Sequence, residues 1–479
     1  MTTHLHIGQC GNQLGLSFWE LANCTYQPLV TNSPANGPLP TDNESCPQLF
    51  HARGNARAIW LDSEPKVVKE ALDRGYASSE QVNFEQSGRG NNFSMGFLKS
   101  SSLCERTMEQ MRKEIEAADA YRGTVLWHST GGGTGSGVGS KLSEMLRDTY
   151  PRSHILTVGV VAGKNSESPL YNYNSAFSLS CLHENADGIL LMENETLIRN
   201  IETHQSKAMK IINSSRSVNN SYDVPMKTIN QYAARQLSGM FFPTKAKKGF
   251  YDAHLSRAHR RPFDLGALVE ATCPLWDVKL LDLQSSCSLS NRARRHPRRW
   301  EQVVDTFSST IPKFDETQAK VETFGTKVYI RSSANATPAK RSKKSNSLNG
   351  NKRGPRHRLE SKRRPDVLPD DYIRRQLGKA FKHASWFPEM SQLRDITYSL
   401  EQPLPWEDKS ITVCANTTRH IPVMQRLSSR GREMFRSRAF VHWFTRFGIE
   451  EDDFFDVFES LDRVVDAYGR CSGRGGTEK

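Results

Sequence analysis

Gly131-Gly132-Gly133-Thr134-Gly135-Ser136-Gly137 is a dense glycine run between an apolar stretch and an amphipathic one. Glycine lets a backbone approach an anion closely, and free N–H groups at a helix start face it. Thr134 and Ser136 add hydroxyl donors, so the run suits a phosphate. It lacks the GK[ST] of a Walker A loop and the downstream acid of a dinucleotide fingerprint. Gln9-Cys10-Gly11-Asn12-Gln13 forms an earlier turn of similar setting. Gln9 and Gln13 can donate to phosphates, and Cys10 can pack near a base or sugar. Asp62-Ser63-Glu64 offers carboxylates for a hard cation such as Mg²⁺, often through water. Ser87-Gly88-Arg89-Gly90-Asn91-Asn92 is another loop suited to backbone–phosphate contact, with Arg89 as a source of positive charge. The amides of Asn194 and Asn230 both donate and accept, which suits a purine edge or ribose. Each motif alone also reads as a connecting turn, a solvated acidic turn or an ordinary polar residue.

These residues need a common edge. Residues 5–7 read as a strand that leads into GQCGNQLG and a helix through Leu21. Further strands are expected at Ala58–Leu61, Thr124–Trp127, His154–Val161 and Gly188–Met192, with helices at Ser102–Ala120, after the glycine run and after Asn194. Strands alternating with helices predict an α/β fold with a parallel sheet. In such a sheet the strand–helix turns line one edge, where ligands bind. Met226–Phe242 carries a helical apolar face. A mixed α+β region follows, with strands at Lys327–Ile330 and Ile411–Cys414. The C-terminal part is helical, with aromatic stripes at Phe440, Trp443, Phe444, Phe447 and at Phe454, Phe458, Leu461, Val465, Tyr468.

The 479 residues carry 65 Lys+Arg against 52 Asp+Glu, a net charge of +13. Twelve of those bases and one acid, Glu360, fall between Arg331 and Arg364, giving +11; the remaining 53 and 51 give +2. A nearly neutral body therefore carries one basic segment, which argues against a nucleic-acid-binding fold for the body. Segment 331–366 has almost no large apolar residue and is expected to be a disordered insertion. Apolar runs are too short for a membrane helix, and the first residues lack a signal-peptide pattern, so an intracellular, soluble protein is expected. Nine scattered cysteines without a CxxC pair suggest reduced thiols.

GQCGNQLG, LDSEP, SGRGNN, GGGTGSG, NYNSA, MEN and FVHWFTRFGIEEDDFFDVFESLDRV occur in one order. On these motifs the chain, apart from 331–366, resembles the tubulin superfamily. LYNYNSAFSLSCLHENADGILLMEN, RFGIEEDDFFDVFESL and an ending CSGRGGTEK in place of an acidic tail are most similar to the delta type. The resemblance implies a GTP-binding domain at 1–210, a core helix at 211–245, an intermediate α+β domain at 246–425 and a C-terminal helical hairpin at 426–479. It implies that Gln9, Cys10 and Gln13 face GTP or GDP. Ser129, Gly133, Thr134 and Gly135 would hold phosphates, Asn194 and Asn230 would recognise guanine, and Glu64 would organise Mg²⁺.

The resemblance also implies hydrolysis completed across a contact between subunits, with Glu270 as the candidate trans-acting base; Ala267 stands where the family often carries an acid. Tyr171 and Asn172 stand near the place of a ribose-contacting Glu, and Met226 replaces a stacking aromatic. The basic insertion, expected near the face bearing Glu270, reads as a solvated linker, a contact to acidic tubulin tails or RNA, or a nuclear-localisation-like signal. The implied partners are other tubulin subunits, alpha/beta or epsilon, and centriolar microtubules. The implied setting is cytoplasm, cytoskeleton, centriole, basal body and cilium. A gamma- or epsilon-type tubulin is the alternative, and a Rossmann-type nucleotide enzyme is the competing class.

Overall fold

The computed structural model describes residues 1–26, 46–51, 53–163, 168–212, 224–245, 260–289, 299–332, 370–384, 395–399, 404 and 407–472. The first half alternates strand and helix. The order is β1 (Thr2–Ile7), α1 (Gly8–Tyr26), β2 (Ala58–Asp62), α2 (Pro65–Asp73), β3 (Val82–Phe84), α3 (Phe93–Leu98), α4 (Ser101–Glu116) and β4 (Gly123–Ser129). It continues with α5 (Gly139–Thr149), β5 (His154–Val161), α6 (Tyr171–Asn185), β6 (Gly188–Glu193), α7 (Asn194–Ile212) and α8 (Met226–Phe241). The second half holds β7 (Thr244–Lys245), β8 (Arg260–Arg261), α9 (Leu265–Thr272), β9 (Leu280–Leu289), α10 (Trp300–Thr310) and β10 (Thr323–Ser332). It ends with α11 (Asp370–Ala380), β11 (Ile396–Ser399), β12 (Glu407–Thr417), α12 (Ile421–Arg436), α13 (Val441–Thr445) and α14 (Glu451–Cys471).

One sheet of ten strands runs in the order β11-β10-β12-β9-β6-β5-β4-β1-β2-β3. The six strands β1–β6 are mutually parallel, as expected. β9 extends them in parallel through Ile189↔Leu280 and Leu190↔Leu281, and β12 is antiparallel to both β9 and β10. β3 escapes sequence patterning because three residues cannot display a period. Leu5, Ile7, Ile59, Leu61 and Leu126 enter a core shared with α5, α6, α12 and α14. Their neighbours Ala58, Trp60, Val125 and Trp127 enter a second core under α1, α8 and α9. Strands covered on both faces are largely apolar, which explains the apolar runs in the sequence, although β1 also buries Thr2, Thr3, His4 and His6. A third core packs α10 and α11 on β10 and β12.

Three expectations change. Arg331 and Ser332 are not part of a loop. They end β10, and the Arg331 guanidinium is 1% exposed, donating to the carbonyls of Gly239, Phe242 and Pro243 at the end of α8. The basic segment therefore starts after Ser332. Its charge is eleven bases less one acid, or +10, and the body carries 54 against 51, or +3. The rest of 331–366 lies outside the described residues. The stripe at Phe440–Phe447 is not one packed face. Phe440 is left-handed (φ 59°) and α13 is short, so Phe444 is buried while Phe440 and Trp443 are largely exposed. Helices α7 and α12 run across residues 210 and 425, where the sequence suggests limits. No helix among the described residues is long and apolar enough to cross a membrane.

Candidate functional site

Parallel strands place the exits of β1, β2, β4, β5 and β6 on one edge, and the sequence motifs follow those exits. Gly8 turns the chain at φ 71°, and a Cβ there would lie 3.0 Å from the Gly135 amide nitrogen. The first turn and the glycine run are thus in backbone contact, a closeness that only glycine permits. Helix α1 starts at once, leaving Gln9 exposed and Cys10 and Gln13 partly exposed. Gln9 and Gln13 are one helical turn apart and share a face. Asn12 is buried, and its Nδ2 donates to Gly8 O and Leu61 O, both at 2.9 Å. It locks the first turn to the end of β2.

β4 delivers Ser129, and the glycine run follows with Gly131, Gly132 and Thr134 partly exposed. Residues Thr134–Val138 form a π-helical turn that opens α5. A Cβ on Gly133 would meet Arg89 O at 2.7 Å and Asn92 N at 2.8 Å, so the 87–92 loop lies directly on the run. A Cβ on Gly135 would lie 2.8 Å from both Ser129 O and Ser129 Oγ. Thr134 Oγ1 is 2.7 Å from Ser63 Oγ, which joins the run to the acidic turn. Ser136 is buried, and its hydroxyl donates to Gly132 O, so it braces the turn.

The acidic turn supplies one buried and one exposed carboxyl. Asp62 is 5% exposed, and burial pushes its pKa up to about 6 against the hydrogen bond from Ser63 N. Glu64 is exposed and sits where a Cβ on Gly88 would be 2.6 Å from its Oε1. Among the described residues no three His, Cys, Asp or Glu converge on an ion. The pair still fits Mg²⁺, which commonly takes one or two carboxylates and completes its shell with water and phosphate.

Two sequence candidates have other partners. Arg89 is buried, paired with Glu85, and donates to Ser100 Oγ at 2.7 Å and Ser87 O at 2.8 Å, so its charge is neutralised inside the loop. Asn92 is the N-cap of α3, accepting from Met95 N at 3.2 Å and donating to Trp443 O at 3.0 Å. Two further residues organise the edge, Asn174 within NYNSA and His128 in β4. Asn174 accepts from Phe93 N at 2.9 Å and donates to Asn91 O at 2.6 Å and Gly131 O at 2.9 Å, tying both loops to α6. His128 is buried beneath the run, 2.6 Å from Thr157 Oγ1, and burial holds its pKa down to about 4. Tyr171 is buried with its ring against Gly131 and its hydroxyl donating to Ala162 O at 3.0 Å.

Residues 2–202 match the Tubulin/FtsZ family, GTPase domain. The match runs from β1 into α7 and includes every loop just described. Residues 2–202 are a Tubulin/FtsZ-family GTPase domain. Similarity extends beyond it. The chain is 27% identical to the "Tubulin delta chain" of Macaca fascicularis over 97% of this chain and 98% of that relative. It is 25% identical to the "Tubulin beta-1 chain" of Chondrus crispus over 97% and 92%. Over 40% of this chain and 46% of the relative, it is 34% identical to the "Tubulin beta-1 chain" of Anemia phyllitidis. Residues 2–202 thus carry this domain within an α/β fold, and the likeness to tubulin chains runs over nearly the whole chain.

In this GTPase domain Asn194 is the first residue of α7, directly after β6, and is partly exposed. Asn230 is partly exposed in the first turns of α8, which packs on both α1 and α7. Met226, at the start of α8, is 57% exposed. Glu270 is exposed and lies elsewhere. A Cβ on Gly123, at the start of β4, would be 2.9 Å from Leu265 Cδ2, and one on Gly266 would be 3.0 Å from the ring of His154, at the start of β5. Helix α9 thus crosses the opposite end of the strands from the glycine run. A seven-residue strand spans about 23 Å, so Glu270 and the loops of its own chain are on different faces.

Proposed function

We propose that this chain is a delta-type tubulin that binds GTP or GDP with Mg²⁺ and acts in the triplet microtubules of centrioles and basal bodies, and so in forming cilia and flagella. The observation that carries the nucleotide part is the backbone-on-backbone seating of Gly8, Gly133 and Gly135 at one strand edge, at the start of a helix, a setting that suits a phosphate. Full-length likeness to delta chains supports the type. Gln9, Cys10 and Gln13 line the nucleotide from α1, Ser129 and Gly131–Gly135 take the phosphates, Asp62 and Glu64 organise Mg²⁺, and Asn194 and Asn230 read guanine.

Glu270 acts on a neighbouring subunit, because α9 lies at the far end of the strands from its own nucleotide loops. Its partners are alpha/beta or epsilon-type tubulin subunits. The basic segment meets their acidic tails in a salt-sensitive contact. Its stem at Ser332 lies beside the end of α8, and Thr244 pairs with Arg261 just before α9, which favours the Glu270 face. Purification followed by mass identification of the bound nucleotide tests the reading. GTP or GDP is expected, and a nicotinamide cofactor would overturn it. Cross-linking to tubulin subunits and localisation to the centriole barrel test the finer part.

A further inference from the structure

Arg419 and His420, in the turn between β12 and α12, enter a buried polar cluster that belongs to none of the nucleotide loops. His420 Nδ1 lies 3.0 Å from Glu193 Oε1, and Glu193 is the peptide neighbour of Asn194. Arg419 Nη1 donates to Asp282 Oδ2 on β9 at 2.8 Å. Its Nη2 donates to Thr196 Oγ1, in the first turn of α7, at 3.3 Å. Gln284 donates to the same Asp282 oxygen at 2.9 Å. Both acids are held below their ordinary range. Burial pushes Glu193 up, and His420 with Arg419 outweighs it; burial pushes Asp282 up, and Arg419 then His420 outweighs that.

The cluster borders a cavity of about 20 Å³ that Gln236 of α8 and Asn200 of α7 also line. His420 Nε2 and Gln236 Oε1 are buried there without a hydrogen-bond partner. The first turn of α7 is therefore held through two successive residues of one distant turn, at a spot shared with α8. Burying two carboxyls, a guanidinium and an imidazole is no cheaper in free energy than well-packed apolar side chains. The arrangement gains orientation rather than stability.

We propose that Arg419 and His420 are positioning residues for guanine recognition: they fix the first turn of α7, and its spacing from α8, so that Asn194 and Asn230 meet the base in register. The proposal rests on the reading of Asn194 and Asn230 as base contacts. It adds the C-terminal helical layer as a determinant of base selectivity.

The test measures dissociation constants of GDP and of IDP, which lacks the exocyclic amino group, on the full chain. The wild-type chain is expected to prefer GDP. His420→Ala and Arg419→Lys are expected to shrink that preference about tenfold, and His420→Gln, which keeps a donor for Glu193, to restore most of it. A purely structural role would lower Tm and weaken both nucleotides alike. An unchanged GDP/IDP ratio in Arg419→Lys and in whichever His420 variant folds overturns the proposal while leaving the base-contact reading intact. A wild-type chain that does not distinguish GDP from IDP overturns the base-contact reading, and the proposal with it.

Discussion

The strand exits and the core beneath α1 and α8 are built on opposite principles. At the exits, loops touch through backbone, with Gly8 on Gly135 and Gly133 on the 87–92 loop. Beneath α1 and α8, contact is through large side chains. Trp127 Nε1 donates to His4 Nδ1 at 3.0 Å, Trp19 Nε1 donates to His6 Nε2 at 2.9 Å, and Phe18 and Phe241 close around them. Where this core meets the N-terminal ends of the strands lies a cavity of about 360 Å³ reached by Met1, Arg57, Arg122 and Phe263. Backbone seating fixes donor positions before a ligand arrives, so small steric changes at the exits should abolish binding. Side-chain packing yields more easily and responds to protonation.

The largest expected effect is at the exits. Gly133→Val puts branched carbons into Arg89 O and Asn92 N, so the loops must part. A stability loss of about 3 kcal/mol is expected, with nucleotide binding lost in titration calorimetry. Near-normal affinity would break the comparison. Asn174→Ala removes three hydrogen bonds between α6 and the two loops. It should cost about 2 to 3 kcal/mol in urea unfolding.

The side-chain core should be acid-sensitive. Burial holds His4 down to about 3 and His6 well below the ordinary imidazole value of 6.5. Both are neutral in the fold, while the unfolded chain takes up protons below that value. Their contribution is complete above it and shrinks as pH falls toward the folded values, by about 1.4 kcal/mol per unit for each ring. A Tm that does not fall between pH 7.5 and 5 would contradict this.

Asp62 has the opposite sign, because burial raises its carboxyl to about 6 and disfavours the ionised form. Asp62→Asn should therefore raise Tm at pH 7, where the buried carboxylate is ionised at a cost, while weakening Mg²⁺-dependent nucleotide affinity about tenfold. The smallest effect is expected for Glu270→Ala. Dilute protein should keep its nucleotide affinity and its stability to within about 0.5 kcal/mol, with any loss confined to hydrolysis in assemblies. A loss in the dilute chain would place Glu270 in its own site and break the separation of the two ends.

The alternating strands and helices were legible because doubly buried strands must be apolar and their crossings amphipathic. The glycine run was legible because its composition is itself the geometry. Side-chain roles were not. Asn92 looks like a ligand in SGRGNN, yet its amide reaches Trp443, 351 positions away. Arg89 looks like a free cation, yet Glu85 neutralises it. Asn174 and His420 act through partners on other elements, and no local spacing encodes that.

Arg331 marks where the basic segment can be cut. A deletion that begins at residue 333 leaves the three carbonyls at the end of α8 capped, whereas one that begins at residue 331 exposes them inside the core. The last described residues of β10 thus hold the end of α8, so a cut placed after Ser332 keeps both the register of β10 and that clamp.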